Sequence, residues 1–104
     1  ADAAALFVVA MESTQAEAVQ LARELRREFA VDMDLEARGF GAQMKAAGKS
    51  GARFALILGE DEARRGEVTV KDLERGGQTT LTRAALLAGL RERVRGVMVE
   101  AKRD

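Results

Sequence analysis

Phe54-Ala55-Leu56-Ile57-Leu58-Gly59-Glu60-Asp61-Glu62 is followed, after three residues, by Gly66-Glu67-Val68-Thr69-Val70-Lys71-Asp72-Leu73 and then by Arg75-Gly76-Gly77-Gln78. An unbroken apolar run that stops at a glycine and an acidic turn predicts a buried strand. The alternation of Val68 and Val70 with Glu67, Thr69 and Lys71 predicts a half-exposed one. Gly59 closes the first strand and Gly66 opens the second. Arg75-Gly76-Gly77 is a turn in which glycine tolerates positive φ, so strand 67–72 should pair antiparallel with a strand at 78–81.

Upstream, Ala4-Ala5-Leu6-Phe7-Val8-Val9-Ala10-Met11 is apolar on both faces, as in a strand covered from both sides at the middle of a sheet. It should lie beside strand 54–58. Replacing Ile57 by Asp would then bury an unpaired carboxylate, at a cost of several kcal/mol. Thr14-Gln15-Ala16-Glu17 fits a capping box. Ala18, Leu21, Ala22, Leu25 and Phe29 follow at spacings of three and four, which makes one apolar helix face. Val31-Asp32-Met33-Asp34-Leu35-Glu36 alternates strictly, as an edge strand does. Strand, helix, strand at this spacing predicts parallel strands with a right-handed crossover.

A shorter helix is expected around Gln43-Met44-Lys45-Ala46-Ala47, its ends punctuated by Gly39, Gly41, Gly48 and Gly51, and it leads into strand 54–58 as a second crossover. Thr82 is placed to cap a last helix whose Leu86, Leu87, Leu90 and Val94 form an apolar stripe, with Arg91 and Arg95 outside it. Beyond Gly96, Val97-Met98-Val99 extends that helix, forms a short strand or starts a tail; all three readings stay open. The expected fold is therefore α/β: a mixed five-stranded sheet of three parallel strands plus an antiparallel hairpin, with three helices. One domain is expected over 1–104, with a possible tail from 96.

Composition narrows the function. A chain of 104 residues buries one modest core. Seventeen basic and 17 acidic residues balance to a net charge of zero, so a global basic signature of nucleic-acid binding is missing. The charges are segregated, however: residues 1–40 carry four basic and eight acidic side chains, residues 76–104 six and three. Any nucleic-acid surface should therefore come mainly from the second half. Without Cys, disulfides and thiolate metal sites are excluded. Without His or Tyr as well, only carboxylates, lysines, Ser13 and Ser50 remain for chemistry, which weighs against a self-contained enzyme. No apolar run approaches the roughly 20 residues of a membrane span, and the start lacks the pattern of a cleavable leader. The chain is expected in the cytoplasm, with no catalytic residues, metal or cofactor of its own.

The strand, the G-E-x-E turn, the short basic segment, G-x-V-T-V-K-D-L and the glycine turn, in this order, resemble the anticodon-binding domain of class II aminoacyl-tRNA synthetases. The resemblance is closest to the C-terminal domain of histidyl-tRNA synthetases and runs from residue 5 to about 95. In that family the segment after the second strand commonly reads G-R-S-L-x-x-Q-M-K-x-A-x-K-x-G-A. Here Arg38, Gln43, Met44, Lys45, Ala47, Lys49, Gly51 and Ala52 match, whereas Ala37, Gly39, Phe40 and Gly48 depart.

The resemblance implies tRNA anticodon recognition, a catalytic synthetase domain as partner, a parent enzyme that is a homodimeric histidine-tRNA ligase, and histidine tRNA as the RNA. It nominates Arg38, Phe40, Glu62 and Lys71 as anticodon-binding residues, with Gln43, Lys45 and Lys49 behind them. The chemistry fits an unpaired loop. Arg38 can pair or stack, Phe40 can stack, Glu62 can accept from a guanine edge, and Lys71 can donate to base or phosphate. Each has a plainer reading: Phe40 as core, Lys45 and Lys49 as a solvated helix face, Glu60-Asp61-Glu62 as a polar turn, Lys71 as an exposed strand residue. At the level of the whole chain, a protein-interaction domain that keeps this fold but has lost tRNA is the alternative. A small ligand-binding or catalytic α/β domain of the doubly wound type, with its site at the strand carboxyl ends, is the weakest reading, because neither G-x-G-x-x-G nor a phosphate loop is present.

Overall fold

A computed structural model describes residues 5–36 and 38–102, with side chains through residue 96. Ala4, Ala37 and the last two residues, on which parts of the expected first strand, loop motif and tail fall, lie outside the described residues. The elements are β1 (Leu6–Ala10), a 3-10 turn (Glu12–Thr14), α1 (Gln15–Leu25), β2 (Val31–Met33), α2 (Phe40–Ser50), β3 (Phe54–Leu58), α3 (Glu60–Arg65), β4 (Glu67–Asp72), β5 (Gln78–Thr82) and α4 (Arg83–Lys102). They form one five-stranded sheet in the order β2-β1-β3-β4-β5. β1 is parallel to both β2 and β3, while β4 runs antiparallel to β3 and to β5. This is the expected mixed sheet, with a short fourth helix added.

Alternation along the strands divides the core in two. Leu6, Val8 and Ala10 of β1, Phe54, Leu56 and Leu58 of β3, and Val68 and Val70 of β4 face α1 and α4. There they meet Ala18, Leu21, Ala22, Leu25, Leu86 and Leu90. Phe7 and Val9 point to the opposite face, against Ala47 of α2. Because α2 is alone on that face, it covers β1 and leaves the hairpin uncovered. Gln78, Thr80 and Thr82 of β5 are exposed.

Several local expectations change. The 60–62 segment is not a turn but the first turn of α3, where three carboxylates sit at the positive end of the helix dipole and Arg64 and Arg65 at the other. Six residues are too few to show a helical period in sequence. Thr14 does not cap α1 with Glu17; its hydroxyl donates to the Leu58 carbonyl (2.7 Å) and accepts from the Met11 amide (2.9 Å). The 3-10 turn ahead of α1 takes over the capping, and Thr14 instead ties β1 to β3. β2 stops at Met33 because Asp34 turns inward and its carboxylate accepts from the Glu36 amide (3.0 Å). Gly41 and Gly48 lie inside α2, and Gly39 and Gly51 alone mark its ends. The helix begun at Arg83 continues through 97–99 to Lys102. Thr82 does cap it, accepting from the Ala85 amide (3.2 Å). Leu86 and Leu90 of the expected stripe are buried, whereas Leu87 is exposed.

The hairpin is closed by Asp72. Its Oδ1 accepts from the amides of Glu74 and Arg75, both at 2.9 Å, and its carboxylate takes two bonds from Arg53 (3.0 and 3.1 Å). The chain then reverses through Gly76 and Gly77, at φ of 80° and 77°, a region that side chains disfavour. The Arg53 hydrogen bond, seconded by the two amides, holds the Asp72 carboxyl down at about 2. A carboxyl lowered from its unfolded value near 3.9 stabilises the fold above about pH 4, and that contribution is lost as pH falls toward 2.

Two predictions follow from this architecture. Asp72→Asn should remove about 1 to 2 kcal/mol at neutral pH, allowing for partial exposure, and should flatten the loss of stability between pH 4 and 2 in urea titrations. In the second, the earlier expectation for position 57 is revised: Leu56 is fully buried, whereas Ile57 looks onto the open half of the α2 face and is only partly buried. Leu56→Ala should cost about 3 to 4 kcal/mol and Ile57→Ala about half of that, read from the shift of the urea midpoint.

Candidate nucleic-acid interface

α1 and α2 lie on opposite faces of the sheet, and the chain passes from one to the other around β1. In open α/β sheets the crevice at the carboxyl ends of the strands flanking such a reversal is where ligands settle, since the two helices diverge there. Here it lies beyond Ala10 of β1 and Leu58 of β3, which are register partners.

Three of the seven nominated residues meet at one wall of this crevice. Gln43 is 3% exposed, and its amide grips the end of β1: Oε1 accepts from the Ala10 amide (3.0 Å) and Nε2 donates to the Ala10 carbonyl (2.7 Å). Nε2 also donates to the carbonyl of Arg38. Both N–H bonds are thereby committed inside the protein, so Gln43 anchors the loop and presents no donor to a base. Arg38 sits just ahead of α2, its side chain 50% exposed, with Nε donating to Asp34 Oδ2 (2.8 Å). Phe40, the first residue of α2, is 46% exposed and belongs to neither apolar cluster. The core reading of Phe40 is thus excluded.

Glu62 and Lys71 stand on the hairpin side. Glu62 folds back over the start of α3: a Cβ at Gly59 would come within 2.8 Å of its Oε2, so the glycine makes room for the carboxylate. Its Oε1 accepts a long bond from Thr69 (3.4 Å), and Thr69 in turn contacts the Thr80 hydroxyl (3.3 Å). Lys71 lies two residues along β4 from Thr69, opposite Gln78, and therefore projects from the same face. Glu62, Thr69, Thr80, Lys71 and Gln78 thus form a polar floor on one face of the hairpin, with Thr69 itself buried and Thr80 and Gln78 exposed. Lys45 and Lys49 are exposed and one turn apart, opposite the buried Gln43 and Ala47. They line the outer side of α2 and are not brought to the floor. Among the described residues no ion pair involves Lys45, Lys49 or Lys71.

Sequence reasoning missed Asp34, Thr69 and Thr80. Thr69 and Thr80 had a signal, because the burial of Val68 and Val70 sends their neighbours to the opposite face. Asp34 had none, since a carboxylate in an alternating segment reads as solvated. Its pKa is lowered, first by the Arg38 hydrogen bond and then by the Glu36 amide, and that of Arg38 is raised mainly by the same bond. A cleft of about 480 Å³ lies at the other end of the sheet, between the hairpin turn and α4, lined by Arg53, Asp72, Arg75 and Arg93. Its Arg53–Asp72 pair is the one that closes the hairpin, and none of the nominated residues borders it. Among the described residues no helix is long and apolar enough to cross a membrane, and no group of three or more carboxylates is placed to hold a metal.

Residues 4–93 match the family described as the anticodon binding domain. A histidine-tRNA ligase of a Synechococcus species is 47% identical over 71% of this chain and 18% of its own length. A second, from a Picosynechococcus species, is 44% identical over 88% of this chain and 21% of its own. The chain thus spans about a fifth of the curated relatives it matches. Among solved structures, histidyl-tRNA synthetase from Nostoc superposes with a TM-score of 0.81 at 32% identity, over 89% of this chain and 23% of that one. The RNA binding domain of threonyl-tRNA synthetase from Cryptosporidium parvum gives 0.75 at 28% identity, over 84% and 22%. A sheet with one face half uncovered, a crevice at the strand ends and a match along nearly the whole chain lead to one conclusion: the chain belongs to the anticodon-binding domain family of aminoacyl-tRNA synthetases.

Proposed function

We propose that this chain reads the anticodon loop of histidine tRNA as the accessory domain of a cytoplasmic histidine-tRNA ligase, with the catalytic domain as its covalent partner in a homodimeric enzyme. The observation that carries the reading is the pair of exposed side chains Arg38 and Phe40 at the start of α2, with the polar hairpin face of Glu62, Thr69 and Lys71 on the same side of the sheet as α2. An unpaired loop needs such a surface, wide enough for splayed bases and furnished with both donors and acceptors. Arg38 pairs with base edges or phosphate through its terminal nitrogens, and Phe40 offers a ring for a base to stack on. Glu62 accepts from the N1–H and N2–H₂ edge of guanine, a contact that offsets the repulsion between carboxylate and phosphate. Lys71 donates to base oxygen or phosphate, and Lys45 and Lys49 attract the backbone from the rim of α2. Gln43 holds the Arg38 loop from behind. These contacts call for no metal or cofactor, and no residue of the set supplies acyl-transfer chemistry.

A stem-loop carrying the GUG anticodon should therefore bind better than one with a scrambled loop, with modest affinity that falls as salt rises. Lys49→Ala should weaken both by a similar factor and reduce the salt slope by about one. Glu62→Gln keeps an acceptor for Thr69 but cannot accept two guanine donors, and it should cut the preference for GUG about tenfold. Equal binding of the two loops would refute anticodon reading, and no RNA binding at any salt would favour the protein-interaction alternative, with which the neutral net charge is compatible. In a separate assay the chain alone should show only background ATP–pyrophosphate exchange; turnover with histidine would assign it a catalytic role.

A further inference from the structure

We infer that Asp34 is the positioning residue of this interface, orienting the Arg38 guanidinium for RNA before RNA arrives; the inference rests on the reading of Arg38 as an RNA contact. The Asp34 side chain is 6% exposed although its loop is on the surface. Its two oxygens have separate tasks. Oδ1 accepts from the Glu36 amide (3.0 Å) and closes the turn after β2; Oδ2 accepts from Arg38 Nε (2.8 Å). The turn needs the first bond alone. The second acts on Arg38, whose carbonyl is held at the same time by Gln43.

Arg38 is thus fixed at its backbone and at Nε, while its two terminal nitrogens have no hydrogen-bond partner among the described residues. A guanidinium held by its inner nitrogen keeps its outer edge available, in one orientation, for bidentate contact with a phosphate or a base. A freely rotating arginine would lose that rotational freedom on binding, so prior orientation appears as affinity. The shared Asp34–Arg38 bond also lowers the carboxyl pKa and raises that of the guanidinium, which keeps both charged across the neutral range.

Asparagine at 34 separates the two tasks. Its oxygen can still close the turn, but its amide nitrogen is a donor and cannot hold Nε–H. Asp34→Asn, Arg38→Ala and the double variant should be titrated with the GUG stem-loop alongside the unmodified chain, with melting curves for each. Asp34→Asn is expected to weaken binding about fivefold with little change in melting temperature, and to change nothing further in the Arg38→Ala background. Equal weakening in both backgrounds would mean that Asp34 only shapes the loop, and would overturn the inference. Unchanged binding by Arg38→Ala would remove Arg38 as a contact and the inference with it, whereas failure of the unmodified chain to prefer GUG would overturn the proposed function itself. If Asp34→Asn does not fold, the Arg38 Nε–H resonance of the unmodified chain decides. It should exchange slowly and lie apart from those of solvated arginines; exchange as fast as theirs would overturn the inference.

Discussion

The side-chain amide of Gln43 does at the end of β1 what another strand residue would do: it accepts from the Ala10 amide and donates to the Ala10 carbonyl. Buried backbone groups at a strand end must be paired, and a carboxamide supplies one acceptor and two donors in a plane, much as a peptide group does. The rest of the interface depends on that pairing. It stops β1 at a defined residue, seats the first turn of α2 against the sheet, and through its second N–H fixes the carbonyl of Arg38. Thr14 provides the matching closure between β1 and β3, with one hydroxyl joining the Met11 amide to the Leu58 carbonyl. Both walls of the crevice are therefore set by buried polar side chains that are fully bonded, the condition under which such networks confer rigidity.

The uneven covering of the sheet is the second determinant. Two helices, α1 and α4, close one face, and α2 alone lies on the other, over β1. β1 can afford apolar residues on both sides, whereas β4 carries Val68 and Val70 inward and Thr69 and Lys71 outward. This face of the hairpin is thus polar because α2 does not reach it and only Glu62 of α3 folds over Thr69, and a surface of mixed donors and acceptors on a rigid sheet suits a ligand as irregular as a single-stranded loop. The net charge of zero is consistent with this arrangement: many cations are paired within the protein, as in Arg53 with Asp72 and Arg91 with Glu28, while among the described residues Lys45, Lys49 and Lys71 are not.

Where sequence and structure part, the reason is either a contact distant in sequence or an element too short to show a period. Thr14 and Glu17 have the spacing of a capping box, yet Leu58, 44 residues on, takes the Thr14 hydroxyl. Glu60-Asp61-Glu62 reads as a turn, but the dipole of a six-residue helix organises it. Gln43 is nominated from the sequence as a second-rank RNA contact, and its role as an anchor appears only when Ala10 is seen 33 positions away. Ile57 is apolar like its neighbours, and its partial exposure follows from where α2 ends its coverage.

The amino-acid sequence by itself determined the order of the strands and of the three longer helices, the pairing of the hairpin, the position of β1 and β3 at the centre of the sheet and, through two motifs at the right separation, the family. All of these depend on periodicity, on glycine punctuation or on runs of apolar residues, which are local properties that a linear reading preserves. The tertiary structure alone decided which of the nominated polar residues face outward and which are held inside. It set Phe40 in solvent, turned Gln43 and Asp34 inward as supports, and gathered Glu62, Thr69, Thr80 and Lys71 on one floor. Hydrogen-bonding side chains carry no label for their partners; whether such a group meets solvent, RNA or a distant backbone amide is settled only when packing brings the elements together.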